Sequence, residues 1–492
     1  MEVFPAWSPD GRRIAFAVME KKQIVVVNAD GSDERQLTVQ GSCEDPTWSP
    51  DGSQIAFQSS RDGDFEIYTV NVEEALRGEG SARQLTDNRA GDFWPSWGPA
   101  ANPTTTASSW FKTYGGPRDD VGWGILAADD GGYYIVGTTG LEFEPQRRAN
   151  VYLIRTDAAG EVLWEKKYER DGYTEGAAIS WADDGNLLIS GPAILSTTNG
   201  TDIYLLKVDP AGNELWFRTF GGPLDEMGTA WPQEDGGFLL AGNSIDPNDI
   251  VADPGAAGYG GMAGRSSVYL AQFAADGTER WSRTYGGENN VMVFDGLQTP
   301  DGGMLLLATI MYYPENDDDI YLLKVDADGN EVWSRTWEEG MAEATGLVLT
   351  NDGNYLLAGS YSPPEVMDRE KRDFLFIQID PQGNEIWKKV WGDPEAGDDA
   401  AMLAATADGG SIAVGDTGGD LSSWSQDIAL LKLDAQGQQL WRQVIATQSH
   451  QMYGQVLQHP DGGYLLVGSL VSDGQFDIFL IKTDAQGYVQ QP

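Results

Sequence analysis

The acidic residues of this 492-residue chain come in pairs: Asp119-Asp120, Asp225-Glu226, Glu338-Glu339 and Asp398-Asp399, with a triplet at Asp317-Asp318-Asp319. Clustered carboxylates supply the hard oxygen donors that Ca²⁺ collects, about six to eight at a time. Two carboxylates held across a cleft are also the machinery of glycoside cleavage. We read the four pairs as binding residues and the triplet as the metal-ligating group, with Ca²⁺ as its ion. No segment matches the twelve-residue calcium loop; Asp326-Ala-Asp-Gly-Asn330 begins like one but falls in a hairpin. Other chemistries lack their parts. The two histidines are His450 and His459, and His459 sits in the turn sequence Gln458-His-Pro-Asp-Gly462. There is no Gly-x-Ser-x-Gly elbow, no His-Glu-x-x-His and no phosphate-binding glycine loop opening a helix. Cys43 is alone, which excludes an intrachain disulfide and a multi-cysteine metal site.

The elements that must hold these residues repeat. An Asp-Gly pair recurs at Asp130, Asp184, Asp235, Asp301, Asp352, Asp408 and Asp461, every 51 to 66 residues. A short apolar run follows each, then a second one such as Ile320-Tyr-Leu-Leu-Lys-Val-Asp326, then in five units Asp-x-x-Gly and a Trp four residues on; the third unit has Ala274 in place of that Asp, and the last has Gln491 in place of the Trp. Asp-Gly and Asp-x-x-Gly between β-rich runs mark hairpins, because Asp and Gly accept the positive φ of such turns. Each unit therefore reads as four short strands, and the expected fold is an all-β, seven-bladed β-propeller. The last unit ends without its fourth strand, and Trp110-Phe-Lys-Thr-Tyr-Gly-Gly116 is a fourth strand without a third. Residues 110–115 are expected to complete the last blade and close the ring.

Within each fourth strand the Trp and the residue four later share a face, with a basic residue between them in all but one unit: Lys112, Lys166, Arg218, Arg283, Arg335 and Lys389, against Gln443. This pattern reads as a repeated contact between blades rather than a cage for a cation. The third strands carry Arg155, Lys207, Lys324, Lys432 and Lys482, each two residues before a turn Asp on the same face, so each is expected to pair with that Asp. The turns between first and second and between third and fourth strands are tight and share one end of the ring. The other end carries long connections, including 242–267 and 360–372, and is the expected binding face.

Residues 1–108 carry another repeat: Trp7-Ser-Pro-Asp-Gly11 and Trp48-Ser-Pro-Asp-Gly52, followed at equal offsets by Ile14-Ala-Phe16 and Ile55-Ala-Phe57, with Gln-Leu-Thr at 36–38 and 84–86. These residues resemble the TolB-like, WD40-like propeller repeat, which implies two such blades and a truncated third over 1–99; the polar stretch 100–108 reads as a linker, and the Asp-Gly repeats set the seven blades over 109–492. In that family the repeat fills a six-bladed ring in periplasmic or peptidase-associated proteins. Two blades do not close a ring, so the chain reads as a piece of a longer protein, with docking on the seven blades as the other arrangement. The seven units resemble bacterial and archaeal secreted or surface propeller repeats (Trp-x-x-x-Tyr-Gly-Gly, Asp-Gly-Gly, Tyr-Leu-Ile-Lys-Thr-Asp), which implies an extracellular, cell-surface or periplasmic place. The Asp-x-x-Gly-x-x-x-Trp element is also similar to that of pyrroloquinoline-quinone dehydrogenases. Those have a turn one residue longer and, in many members, an adjacent cysteine pair, which the lone Cys43 does not match.

Charge selects among partners. With 76 acidic and 32 basic residues the chain carries −44, most of it beyond residue 108. A polyanion repels nucleic acid and anionic lipid. The 41% hydrophobic and 11% aromatic content, with 17 Trp, marks a folded chain rather than an acidic disordered one. No apolar run reaches the roughly 18 residues of a membrane helix, and the start Met1-Glu-Val-Phe-Pro-Ala-Trp7 has no signal-peptide pattern. The expected role is a non-enzymatic extracytoplasmic binding or assembly scaffold that meets a protein or cation at its long-loop face. The alternatives are a glycan-active hydrolase or lyase using the loop carboxylates, and a self-assembling surface protein.

Overall fold

The computed structural model describes residues 2–86 and 109–489, apart from 9–11, 19, 39–40, 50–51, 62, 64, 78–81, 143–147, 196–199, 222–224, 234, 251–263, 287–289, 313–316, 338–340, 364–371, 393–396, 419–425, 450 and 473. The chain divides into two compact units, Met1–Thr106 and Ala107–Pro492. The expected linker 100–108 lies outside the described residues.

The first unit holds two four-stranded antiparallel sheets. One comprises Glu2–Trp7, Arg13–Val18, Gln23–Asn28 and Arg35–Gln36; the other Cys43–Trp48, Gln54–Ser59, Glu66–Asn71 and Arg83–Gln84. The Trp-Ser-Pro-Asp-Gly repeat has a mechanical reason. The Ser8 hydroxyl accepts the Arg13 amide (2.8 Å) and the Ser49 hydroxyl accepts the Gln54 amide (2.9 Å), each closing the hairpin its motif opens. The threonines of Gln-Leu-Thr also match: Thr38 accepts Ile24 N–H and Thr86 accepts Ile67 N–H, both at 2.9 Å. Between the sheets Ile24, Ile55, Phe57 and Tyr68 share one core.

The second unit is an all-β propeller whose strands fall into seven successive groups of the expected order. Five are separate four-stranded antiparallel sheets; the first two are joined into one nine-stranded sheet by the short strand Gly172–Thr174, which pairs antiparallel with Leu187–Leu195 and parallel with Arg148–Thr156. The seven groups are called sheets below. The first strands are Asp120–Ala127, Ala178–Trp181, Asp225–Pro232, Asn290–Gln298, Met341–Leu349, Asp398–Ala405 and Gln451–Gln458. First strands of successive sheets touch one another except between the third and fourth sheets, where Asn290–Gln298 touches the second and third strands of the third sheet instead; the first of these strands touches three strands of the last sheet, so the ring closes. The fourth strands lie at the rim: Val162–Tyr168, Glu214–Phe220, Glu279–Tyr285, Glu331–Trp337, Glu385–Trp391, Gln439–Ser449 and, completing the last sheet, Trp110–Tyr114. Burial follows the position in the sheet. Third strands, covered by sheets on both faces, read as unbroken apolar runs such as Val151–Ile154. Rim strands leave Leu163, Leu215, Val332, Ile386 and Leu440 about half exposed.

The rim Trp of one sheet packs on the Asp-x-x-Gly turn of the next. A side chain added at Gly160, Gly212 or Gly329 would lie 2.7 Å from the rings of Trp110, Trp164 and Trp281. The basic residue between the rim aromatics bridges the same seam: Lys112 pairs with Glu161 (2.6 Å) and Arg283 donates to Asp328 O (2.9 Å), with its guanidinium 5.8 Å from the Trp281 ring centre. Five first strands contain a β-bulge, at Gly122/Gly124, Val293/Asp295, Ala344/Gly346, Ala400/Met402 and Tyr453/Gln455. The bulges bend these strands where they crowd the axis.

Candidate functional site

The two ends of the ring differ. At the tight-turn end the same hairpin recurs in every sheet: Ala128, Ala182, Gln233, Thr299, Thr350, Thr406 and His459 each donate their N–H to the carbonyl four residues on. His459 is thus a hairpin residue, with Nδ1 2.7 Å from Asp461; His450 lies outside the described residues.

The third-strand bases also belong to this end, but their partners are not the expected ones. Arg155, Lys207, Lys324, Lys432 and Lys482 pair with the Asp-Gly carboxylates Asp130, Asp184, Asp301, Asp408 and Asp461. The cause is register. Lys324 lies opposite Leu305, just past the neighbouring hairpin, while Asp326 is used by its own turn, accepting Asp328 and Asn330 N–H. The buried Lys324 ammonium reaches Thr299 Oγ1, both Asp301 oxygens and Val325 O within 3.0 Å. Partial burial would raise Asp301, but the Thr299 hydroxyl, Lys324 and Gly303 N–H outweigh it and hold the carboxyl at about 2. Because that is below the unfolded value of 3.8, the stabilisation is complete above pH 3.8 and is lost as pH falls through 2. In acid unfolding between pH 4 and 2, Asp301→Asn should therefore remove part of the fall in stability. The expected share is about 1 kcal/mol, small because the carboxylate is largely in water. An unchanged acid limb would mean the clip contributes nothing.

At the long-connection end most of the expected binding residues are parts of strands. Asp120 opens the first strand of its sheet at 1% exposure, its Oδ2 accepting Gly116 N–H at 2.5 Å. Asp119 accepts Phe476 N–H (2.9 Å) from the last sheet. Asp225 accepts Thr201 N–H (2.8 Å), and Glu226 beside it is buried. Asp398 is fully buried and accepts from Arg442 at 2.7 Å. Asp318 and Asp319 are buried in the strand Asp317–Val325. Asp317 and Asp399 begin or extend strands, with side chains outside the described residues; Glu338 and Glu339 lie wholly outside them. The expectation of loop carboxylates is thus corrected for the described acids that lie within strands. The strands run further because a carboxylate at the strand start satisfies backbone N–H groups that the connection leaves open. The 242–267 connection is likewise strand as far as Ile250 and again from Gly264. Among the described residues no three acids, histidines or cysteines are grouped to hold a metal.

Sequence reasoning missed the partners of these acids. Arg372 and Glu343 form a buried two-bond pair, both contacts 2.9 Å, and Arg372 O accepts the Asp398 N–H. A second acid stands just before the apolar run of several third strands: Asp202, Asp319, Asp373, Asp427 and Asp477. That recurrence was a readable signal. Asp202 is raised by burial and then by the charge of Asp225. The glycine after the last rim aromatic makes room for these acids: a side chain at Gly115, after Tyr114, would meet Asp477 and Asp120, and one at Gly221, after Phe220, would meet Asp202 and Glu226.

Residues 1–109 match the family model of the TolB beta propeller domain. The regulatory protein FlaEY of Caulobacter vibrioides is 24% identical over 212 residues, 37% of this chain, and the chain spans 21% of that protein's length. Among solved structures, the β-propeller domain of Myceliophteria thermophila Cps50 (Swd1) aligns with TM-score 0.43 and 13% identity, covering 75% of this chain and 98% of that one. The tricorn protease aligns with TM-score 0.42 and 10% identity, covering 96% of this chain and 42% of its own. A protein from Lactobacillus plantarum gives 0.42 and 13%, covering 73% and 94%.

Proposed function

We propose that the seven-sheet ring is an extracytoplasmic, non-enzymatic binding scaffold whose contact surface is its long-connection end. The observation that supports this most directly is the contrast between the two ends. One end repeats a single hairpin seven times, whereas connections between second and third strands range from Ser472–Gln475 to Ile250–Gly264. Variable connections on a rigid frame are where propellers and similar scaffolds carry recognition. The excess of negative charge favours a basic protein or a cation as partner. The TolB-like match over residues 1–109 supports a place outside the cytoplasm. No described helix is long and apolar enough to cross a membrane.

Photo-crosslinking in cells tests the assigned end. A crosslinking side chain at the exposed Pro117, on the long-connection end, should capture a partner protein, and one at the exposed Asp183, at a tight turn, should not. Capture from Asp183 alone would reverse the assignment. For Ca²⁺, saturating ion at a hundredfold its Kd should stabilise the chain by about 2.7 kcal/mol relative to EDTA. Identical thermal midpoints in Ca²⁺ and EDTA would remove calcium from the proposal while leaving the protein contact standing.

A further inference from the structure

A cavity of about 290 Å³ lies where the second, third and fourth sheets meet. Met227 and Trp231 enter it from the third sheet, Met292, Phe294 and Asp295 from the fourth, and Glu175 from the segment leading into the second. Of the described residues lining it, two are acids and none is Lys, Arg or His.

Asp295 has a structural task that does not need its charge. It follows the bulge of its first strand, and its Oδ2 accepts Leu347 N–H of the next sheet at 2.8 Å, while Oδ1 accepts Gly296 N–H at 2.7 Å. Gln455 occupies the same place after the bulge of the last sheet, and its Oε1 accepts Ile125 N–H of the first sheet at 2.9 Å. The same clip between sheets is thus made by a neutral amide in one place and a carboxylate in the other. Burial pushes the Asp295 carboxyl up to about 7 against the two amides that favour its charge. Among the described residues it forms no ion pair, and the two amide N–H groups are the hydrogen-bond donors that answer its charge.

We propose that this cavity is a binding site for a small organic ammonium with an apolar or aromatic body. The ammonium supplies the counter-charge for Asp295, with Glu175 as the second acid, and the body packs on Trp231, Phe294 and the two methionines. The volume suits a ligand near the lower limit of small-molecule pockets, which run from about 300 Å³. The site is independent of the macromolecular contact proposed above and stands or falls separately.

Calorimetric titration of the full chain with three ammonium probes tests it: 2-phenylethylammonium, tryptammonium and benzyltrimethylammonium. At least one should bind to a single saturable site. 2-Phenylethanol and 3-phenylpropanoate, which keep the ring but lose the positive charge, should bind weaker by at least about tenfold, the loss of one ion pair in a desolvated site. Asp295→Asn keeps the acceptor for Leu347 and should lose a similar factor. Gln455→Glu, across the ring, should leave affinity unchanged. Failure of all three probes, equal binding of the alcohol, or undiminished binding by Asp295→Asn overturns the proposal. Should Asp295→Asn not fold, Glu175→Gln takes its place: weaker ammonium binding supports the site and unchanged binding overturns it.

Discussion

A chain that begins at residue 107 should unfold as one cooperative unit, and a chain that begins at residue 117 should not. The difference between them is the strand Trp110–Tyr114, which pairs with the last third strand from Tyr114↔Ile478 to Trp110↔Lys482. Three aromatics go with it. Tyr114 is buried among Ile125, Ile135, Ile478 and Leu480; Phe111 packs on Phe479 with ring centres 6.1 Å apart; Trp110 lies on the Gly160 turn. The Tyr114 hydroxyl also donates to Gly160 O at 2.7 Å, across the seam between last and first sheets. Loss of a large core aromatic such as Tyr114 costs about 3–5 kcal/mol, and with the two partly buried rings and the strand pairing lost beside it the deletion takes a large share of the roughly 5–15 kcal/mol that holds a domain folded. What remains at the seam is the contact of inner strands and hydrogen bonds that include Gly122 N–H to Ser469, Ile125 N–H to Gln455 and Phe476 N–H to Asp119. Urea unfolding followed by circular dichroism decides the matter. Equal midpoints and equal m-values for the two chains would mean that the inner strands close the ring by themselves.

The seam was readable from two complementary irregularities in the sequence: a rim strand with no third strand before it, and a last third strand whose turn at Asp484 is followed by Gln491 where other units have Trp. The hairpins were readable for a local reason, since Asp-Gly and Asp-x-x-Gly carry their geometry within four residues. What depends on a neighbouring strand was not readable. Lys324 looks toward Asp326 in sequence and toward Asp301 in space, because register brings the other hairpin beside it. The bulges share no residue type: Trp123, Phe294, Thr345, Ala401 and Gly454 are the inserted residues, so nothing in the chain announces them. Asp295-Gly296 shows the limit of the local rule, being an Asp-Gly pair inside a strand rather than at a hairpin. The described members of the acidic pairs lie in or next to the starts of first strands rather than in open loops. Charge reads as solvent exposure, but at a strand start it is drawn inward by amides that lack other acceptors.

The glycines of the second sheet offer a second large effect and a matched control. Gly212 and Gly185 have nearly the same backbone, φ +77 and +76. Around Gly185 nothing lies within 4 Å of an added side chain, whereas at Gly212 the Trp164 ring would lie at 2.7 Å. Gly185→Ala therefore meets only the left-handed backbone penalty, about 1 kcal/mol. Gly212→Ala meets that penalty and must also displace a packed ring, a further 1–3 kcal/mol or so. The ring has little room to yield, because Tyr168, four residues on, is fixed by its hydroxyl on Gly212 O at 2.9 Å. The same pair of contacts recurs at Tyr285 and Trp281 on Gly329. The seam thus demands glycine twice over, once for φ and once for the Trp face. A double mutant separates the two demands. Trp164→Ala removes the obstacle, so Gly212→Ala added to it should cost no more than Gly185→Ala does, and the two losses should fall short of their sum. Strict additivity in the unfolding free energies would show that the repeated Trp does not press on the turn, and the repeat of Asp-x-x-Gly with Trp would then need another cause.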